Sequence, residues 1–156
     1  MICYRWAAGP RHYEEMSSWV VLALEAALQK VGQQPWWDKR HLLRTSQDLV
    51  QTVGQEMERR KMVIICLGPN DLQRCQQEGD FFRWEIDNAT QLEADGKLKV
   101  VIAVYGIETT EALVNRAKKL GEWGKTFSDY LTKHYLIFLK VSSLDKEVSS
   151  IIDSLN

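Results

Sequence analysis

Met62-Val63-Ile64-Ile65-Cys66-Leu67-Gly68-Pro69 decides the fold. The run is apolar without a polar break and stops at a Gly-Pro pair. A strand with one wet face alternates polar and apolar residues; an unbroken run suits a strand buried on both faces. Such a strand needs helices above and below its sheet. Leu98 to Tyr105 repeats the pattern and closes at Gly106.

On either side the period changes from strand to helix. Met1 to Tyr4 reads as a short first strand, followed by a loop containing Ala7-Ala8-Gly9-Pro10. Tyr13 to Val31 carries Trp19, Val20, Leu22, Ala23, Ala26, Ala27 and Val31 at helical spacing, with Gly32 as its stop and Trp19 read as core. Gln33 to Asp38 reads as a strand, and of Trp36 and Trp37 one faces the core; Trp37 is favoured for the cleft. Ser46 is positioned to cap a helix over 47–59. Asn70 to Gly79 is polar, with room for one helical turn and an exposed Cys75. Phe81 to Ala94 and Glu108 to Leu120 read as helices, Gly121 to Gly124 as a break, and Tyr135 to Val141 as the last strand. Leu144, Val148, Ile151, Ile152 and Leu155 form the stripe of a final helix.

The order β-α-β-α-β-α-β-α-β-α predicts an α/β fold: a flavodoxin-like, three-layer, doubly wound sheet of five parallel strands, one domain over residues 1–156. Ligands of such sheets bind beyond the carboxyl ends of the strands.

Composition narrows the function. The 156 residues carry 20 basic and 21 acidic side chains, so no basic excess points to nucleic acid. Glu58-Arg59-Arg60-Lys61 is the one dense basic run, and at a helix end it complements the macrodipole. Three cysteines make no disulfide framework, and Cys3 and Cys66 read as small buried hydrophobes. The scattered histidines suggest no metal site. No signal peptide or membrane-length apolar run is evident, so a cytoplasmic domain with no membrane partner is expected. Arg5-Trp6-Ala7-Ala8-Gly9-Pro10 is neither a dinucleotide fingerprint nor a Walker loop, and no nucleophile elbow is present.

The residues at the strand ends are distinctive. Ile2-Cys3-Tyr4-Arg5, Trp36-Trp37-Asp38 with Leu42-Leu43, Val63 to Asn70, and Trp84-Glu85-Ile86 together resemble the TIR (Toll/interleukin-1 receptor) family: its opening strand, its second strand and BB loop, its third strand, and the segment holding the glutamate of NAD-cleaving members. The resemblance runs in order from Met1 to about Tyr105. Gly68-Pro69 through Glu85-Ile86, with Cys75 and Asp80 between, is most similar to the animal axon-degeneration NADase branch. Three positions depart from the family's pattern. The segment His41-Leu42-Leu43-Arg44-Thr45-Ser46 lacks the usual Gly, Gly68 stands for the usual Ser, and the aromatic four residues before the glutamate, a Trp in the NADase branch, is Phe81.

The resemblance implies an enzyme that cleaves NAD to nicotinamide and ADP-ribose or a cyclic product, in cell-death or immune signalling. Glu85 would be its catalytic carboxylate. NAD is then the substrate and no cofactor is needed. Tyr4, Arg5, Trp6, Trp37, Asp38, His41, Leu42, Leu43, Phe81 and Trp84 would line the site: aromatic rings to stack on nicotinamide or adenine, Arg5 to pair with a phosphate. In enzymatic members the BB loop helps complete a site shared between subunits, so the resemblance implies self-association through TIR–TIR contacts, with other TIR domains as further candidate partners. The plainer reading of each residue stands beside this one. Glu85 lies in an amphipathic helix, where most glutamates are solvated; Arg5 reads equally as a surface residue; Trp84 reads equally as packing; Asp38 reads equally as a loop cap. Two other functions fit the sequence: an adaptor that binds other TIR domains and does no chemistry, and a nucleotide-sensing flavodoxin-like domain.

Overall fold

The structure, a computed structural model, describes residues 1–4, 16–37 and 48–140. Among the described residues four parallel strands form the sheet, in the order β1 (Ile2–Cys3), β2 (Met62–Leu67), β3 (Lys99–Tyr105) and β4 (Leu136–Leu139). Ile2 is level with Ile64, Ile65 with Ile102, and Ala103 with Ile137.

Every residue of β2 is buried, as its unbroken apolar run requires. The pleat sends Val63, Ile65 and Leu67 to one face, and Met62, Ile64 and Cys66 to the other. On the first face lie α2 (Leu49–Glu58), α3 (Phe81–Ala94), α4 (Thr110–Lys118) and α5 (Gly121–Lys133); on the second lies α1 (Met16–Lys30). Each fully buried aliphatic side chain in these layers contributes roughly 1.5–3 kcal/mol of transfer free energy. This is the expected α/β parallel sheet with helices on both faces.

The expected fifth strand, Gln33 to Asp38, forms no ladder in the described residues. Its residues still alternate: Trp36 is in the α2–α3 core and Trp37 packs on the α1 side. The Ile2 amide donates to the Trp36 carbonyl at 2.9 Å, so the segment runs beside β1 at the sheet edge. Pro35 has no N–H to donate, which limits the ladder there.

Other departures have similarly local causes. Trp19, expected in the core, is 62% exposed. The buried stripe of α1 is Val20, Val21, Leu24, Glu25, Ala27 and Leu28, and Trp19 shares the outer face with Leu22 and Ala26. The N-cap of α2 is Asp48, whose carboxylate accepts from the Gln51 amide at 3.0 Å; Ser46 lies outside the described residues. Cys75, expected exposed, is fully buried within a 3₁₀ turn over Asp71–Gln76.

The sequence reading missed α5. Gly121 to Gly124 reads as a break, and Gly121, at φ +73°, does separate α4 from α5. Gly124, however, sits inside α5. A Cβ there would overlap the Ala117 carbonyl of α4, so glycine is what lets the two helices cross this closely. The final stripe, Leu144 to Leu155, lies outside the described residues.

Candidate functional site

Among the described residues, the carboxyl end of the sheet carries Tyr4 after β1 and the segments that leave β2 and β3. After β2 the chain turns at Gly68-Pro69 into the 3₁₀ turn and then into α3. Asp80 caps α3, its side chain accepting from the Arg83 amide at 3.1 Å. The buried stripe of α3 is Phe82, Glu85, Ile86, Ala89 and Leu92. Glu85 therefore occupies a core-facing position in an otherwise apolar stripe, and it is only 2% exposed. At 1.5 Å of rise per residue it sits about 6 Å along the axis from Phe81, near the carboxyl end. Here α3 packs against β1 and the 3₁₀ turn.

The aromatic candidates fall into two groups on opposite sides of the sheet. Tyr4, 2% exposed at the end of β1, meets the half-buried Trp37 edge-on, with ring centroids 5.9 Å apart and planes at 68°. This pair belongs to the α1 face. Phe81 and Trp84 stack at 5.3 Å and 28° and pack on the α2–α3 face. The far edge of the Trp84 indole lies against Gly54 of α2, where a Cβ would come to 3.6 Å of it. Trp84 thus fills the α2–α3 contact. Arg5, Trp6, Asp38, His41, Leu42 and Leu43 lie outside the described residues.

Sequence reasoning passed over a second buried carboxylate at this end, Asp71, which is 7% exposed. Its Oδ2 accepts from the Gly68 amide at 2.6 Å and from the Tyr105 hydroxyl. Tyr105 ends β3, and a Cβ on Gly68 would come to 2.3 Å of its ring, too close to fit. The space left by the missing side chain at Gly68 is thus the space the tyrosine occupies. The signal was present as two separate oddities, a Gly where Ser is usual and a Tyr closing a buried strand. Only the register of β2 against β3 joins them. Burial, and then the nearby Asp71, push the Cys66 thiol well above its ordinary range, so Cys66 stays a protonated, inert core residue.

No three His, Cys, Asp or Glu among the described residues gather in a way that could hold a metal ion. No described helix is long and apolar enough to cross a membrane.

A model of the TIR domain matches residues 1–120 of the chain. The chain belongs to the TIR domain family. Among solved structures it is similar to the TIR domains in the structure of the activated Roq1 resistosome directly recognizing the pathogen effector XopQ. The TM-score is 0.67 at 14% identity, over 99% of this chain and 97% of that one. At that identity the likeness establishes the TIR fold. No curated protein matches the chain.

Proposed function

We propose that this TIR domain cleaves the glycosidic bond between nicotinamide and ribose in NAD, with Glu85 as the catalytic carboxylate, in an immune or cell-death signalling setting. The observation that carries the reading is the burial of Glu85 in the apolar stripe of α3. A buried carboxylate costs several kcal/mol of desolvation that packing alone does not repay. Such a cost at the carboxyl end of a doubly wound sheet suits a chemical role.

The chemistry asks little of the protein. The bond from ribose C1′ to the pyridinium nitrogen breaks with its electron pair going to nitrogen, so nicotinamide leaves neutral and needs no proton. Positive charge develops on the ribosyl centre, and a fixed carboxylate in a water-poor site stabilises it. Water then adds at C1′ and loses a proton to give ADP-ribose; addition by the adenine gives a cyclic product. Because Glu85 is almost fully covered, substrate entry requires the end of the sheet to open. Tyr4 and Trp37 lie on the α1 side of that end of the sheet, and Phe81 lies on the α2–α3 side. Self-association is part of the reading, supported by the likeness to TIR domains solved within a resistosome.

The test is nicotinamide release from NAD by concentrated domain, for wild type and Glu85→Ala. Release that depends on Glu85 supports the proposal; no release at any protein concentration overturns it. A second reading is a TIR–TIR adaptor without chemistry. It draws on Trp19 and Leu22, which present large apolar surface on the outer face of α1. Concentration-dependent assembly with no NAD turnover would favour it.

A further inference from the structure

Asp71 stands at the start of a chain of contacts that ends beside Glu85. Its Oδ2 holds the first residue after β2, through the Gly68 amide, and the last residue of β3, through the Tyr105 hydroxyl. Its own amide donates to the Gly68 carbonyl at 3.3 Å, which closes the turn. Pro69 is gripped from two further sides. Arg116 Nη1 on α4 donates to its carbonyl at 3.0 Å, and Gly106, at φ +64°, passes so near that a Cβ would come to 3.1 Å of the proline ring. From Asp71 the 3₁₀ turn runs to Cys75, whose carbonyl accepts from Arg83 Nη1 at 3.5 Å. Arg83 lies on α3, two residues before Glu85.

A solvated turn needs only a weak local cap. Here a buried carboxylate oxygen takes two donors, one just after β2 and one at the end of β3, and hydrogen bonds to a carboxylate are roughly twice as strong as neutral ones. The turn between sheet and α3 is therefore fixed to the central strands more firmly than chain continuity demands.

We propose that Asp71 and Tyr105 are positioning residues for the NAD-cleaving site: by tying the 3₁₀ turn to the ends of β2 and β3, they fix where α3 holds Glu85. The proposal rests on the reading of Glu85 given above. Neither residue touches the reacting bond.

The experiment compares the full chain with Tyr105→Phe, Asp71→Ala, the double variant and Asp71→Asn, by steady-state nicotinamide release and by amide hydrogen exchange. Tyr105→Phe and Asp71→Ala each lower kcat about tenfold with KM within about twofold, because small misplacement of a catalytic group costs rate more than binding. The double variant is no more than about twofold worse than either single, since the two act as one unit. Asp71→Asn keeps an oxygen that can accept both bonds and stays within about threefold of wild type. In Tyr105→Phe the amides of residues 84–87 exchange faster than in wild type. Wild-type kcat in Tyr105→Phe, multiplicative losses in the double variant, or Asp71→Asn falling as far as Asp71→Ala would each overturn the proposal. So would faster exchange confined to residues 68–71. Should wild type release no nicotinamide, the reading of Glu85 fails on its own, and the exchange at residues 84–87 alone decides whether Asp71 and Tyr105 set the placement of α3.

Discussion

Tyr105 fills the space that a side chain on Gly68 would need, and its hydroxyl donates to the same Asp71 oxygen that accepts from the Gly68 amide. The three positions are one packing solution. Restoring the family's usual serine by Gly68→Ser therefore destabilises this domain, by about 2 kcal/mol on the scale of overpacked cores. The cost shrinks by at least about 1 kcal/mol when measured in a Tyr105→Val background, where the clash is gone. Urea unfolding of the four proteins measures this coupling. Additive costs would mean that residues 68 and 105 do not share space.

Gly124 reverses an ordinary rule. Replacing a glycine inside a helix by alanine usually stabilises by roughly 0.5–1 kcal/mol. Here the added methyl would overlap the Ala117 carbonyl, which belongs to the backbone and cannot rotate away. Gly124→Ala is expected to lower stability by about 2–3 kcal/mol, on the scale of overpacking. A thermal unfolding midpoint equal to or above that of wild type would show that α4 and α5 are not in such close contact.

A third relationship ties α3 to α5 at the amino end of the sheet. Glu93 Oε1 accepts from the Val100 amide at 2.7 Å, while Oε2 takes the Tyr130 hydroxyl and lies 2.9 Å from His134 Nε2. Burial, then the Glu93 hydrogen bond and charge, push the Tyr130 phenol well above its ordinary value. A tyrosine in the unfolded chain loses its proton near pH 10. Above that pH the unfolded state binds fewer protons than the folded one, so stability falls as pH rises. Tyr130→Phe removes this contribution. Between pH 9 and about 11 its stability should fall less steeply than that of wild type, as read by urea midpoints. Parallel curves would contradict the Glu93–Tyr130 contact.

Trp19 tests the face assigned to α1. A core tryptophan replaced by a small polar residue loses roughly 3–5 kcal/mol, whereas an exposed one changes stability by about 0.5 kcal/mol or less. Trp19→Ser is expected to belong to the second class, with Leu24→Ala, fully buried in the same helix, costing roughly 2–5 kcal/mol as the control. Equal costs would place Trp19 in the core.

How much was legible follows from which interactions are local. The apolar run from Met62 to Leu67, bounded by Gly68-Pro69, announces a doubly buried strand because its period and its stop signal lie within one short stretch. Phe81 to Ala94 was readable as a helix for the same reason, down to both boundaries. Trp19 was misread because α1 is apolar around much of its circumference, so the spacing of apolar residues does not say which side the sheet takes. Gly124 was misread because its reason is a carbonyl on another helix. Glu85 shows the same limit from the other side. Periodicity places it on α3, but only the packing of α3 against β1 shows that its carboxylate faces inward with Phe82 and Ile86. Asp71 and Tyr105 are 34 residues apart in the chain, and no local pattern links them.

The central claim is that the Glu85 carboxylate does chemistry. Glu85→Gln keeps the size and shape of the side chain and removes its charge, so it separates catalysis from packing. The measurement is nicotinamide release from NAD by wild type and Glu85→Gln at matched high protein concentration, with folding checked by circular dichroism. The expected result is a folded variant whose release is slower by about 100-fold or more, the usual loss when a transition-state charge stabiliser is removed. Wild-type rates of release from a folded Glu85→Gln protein would contradict it.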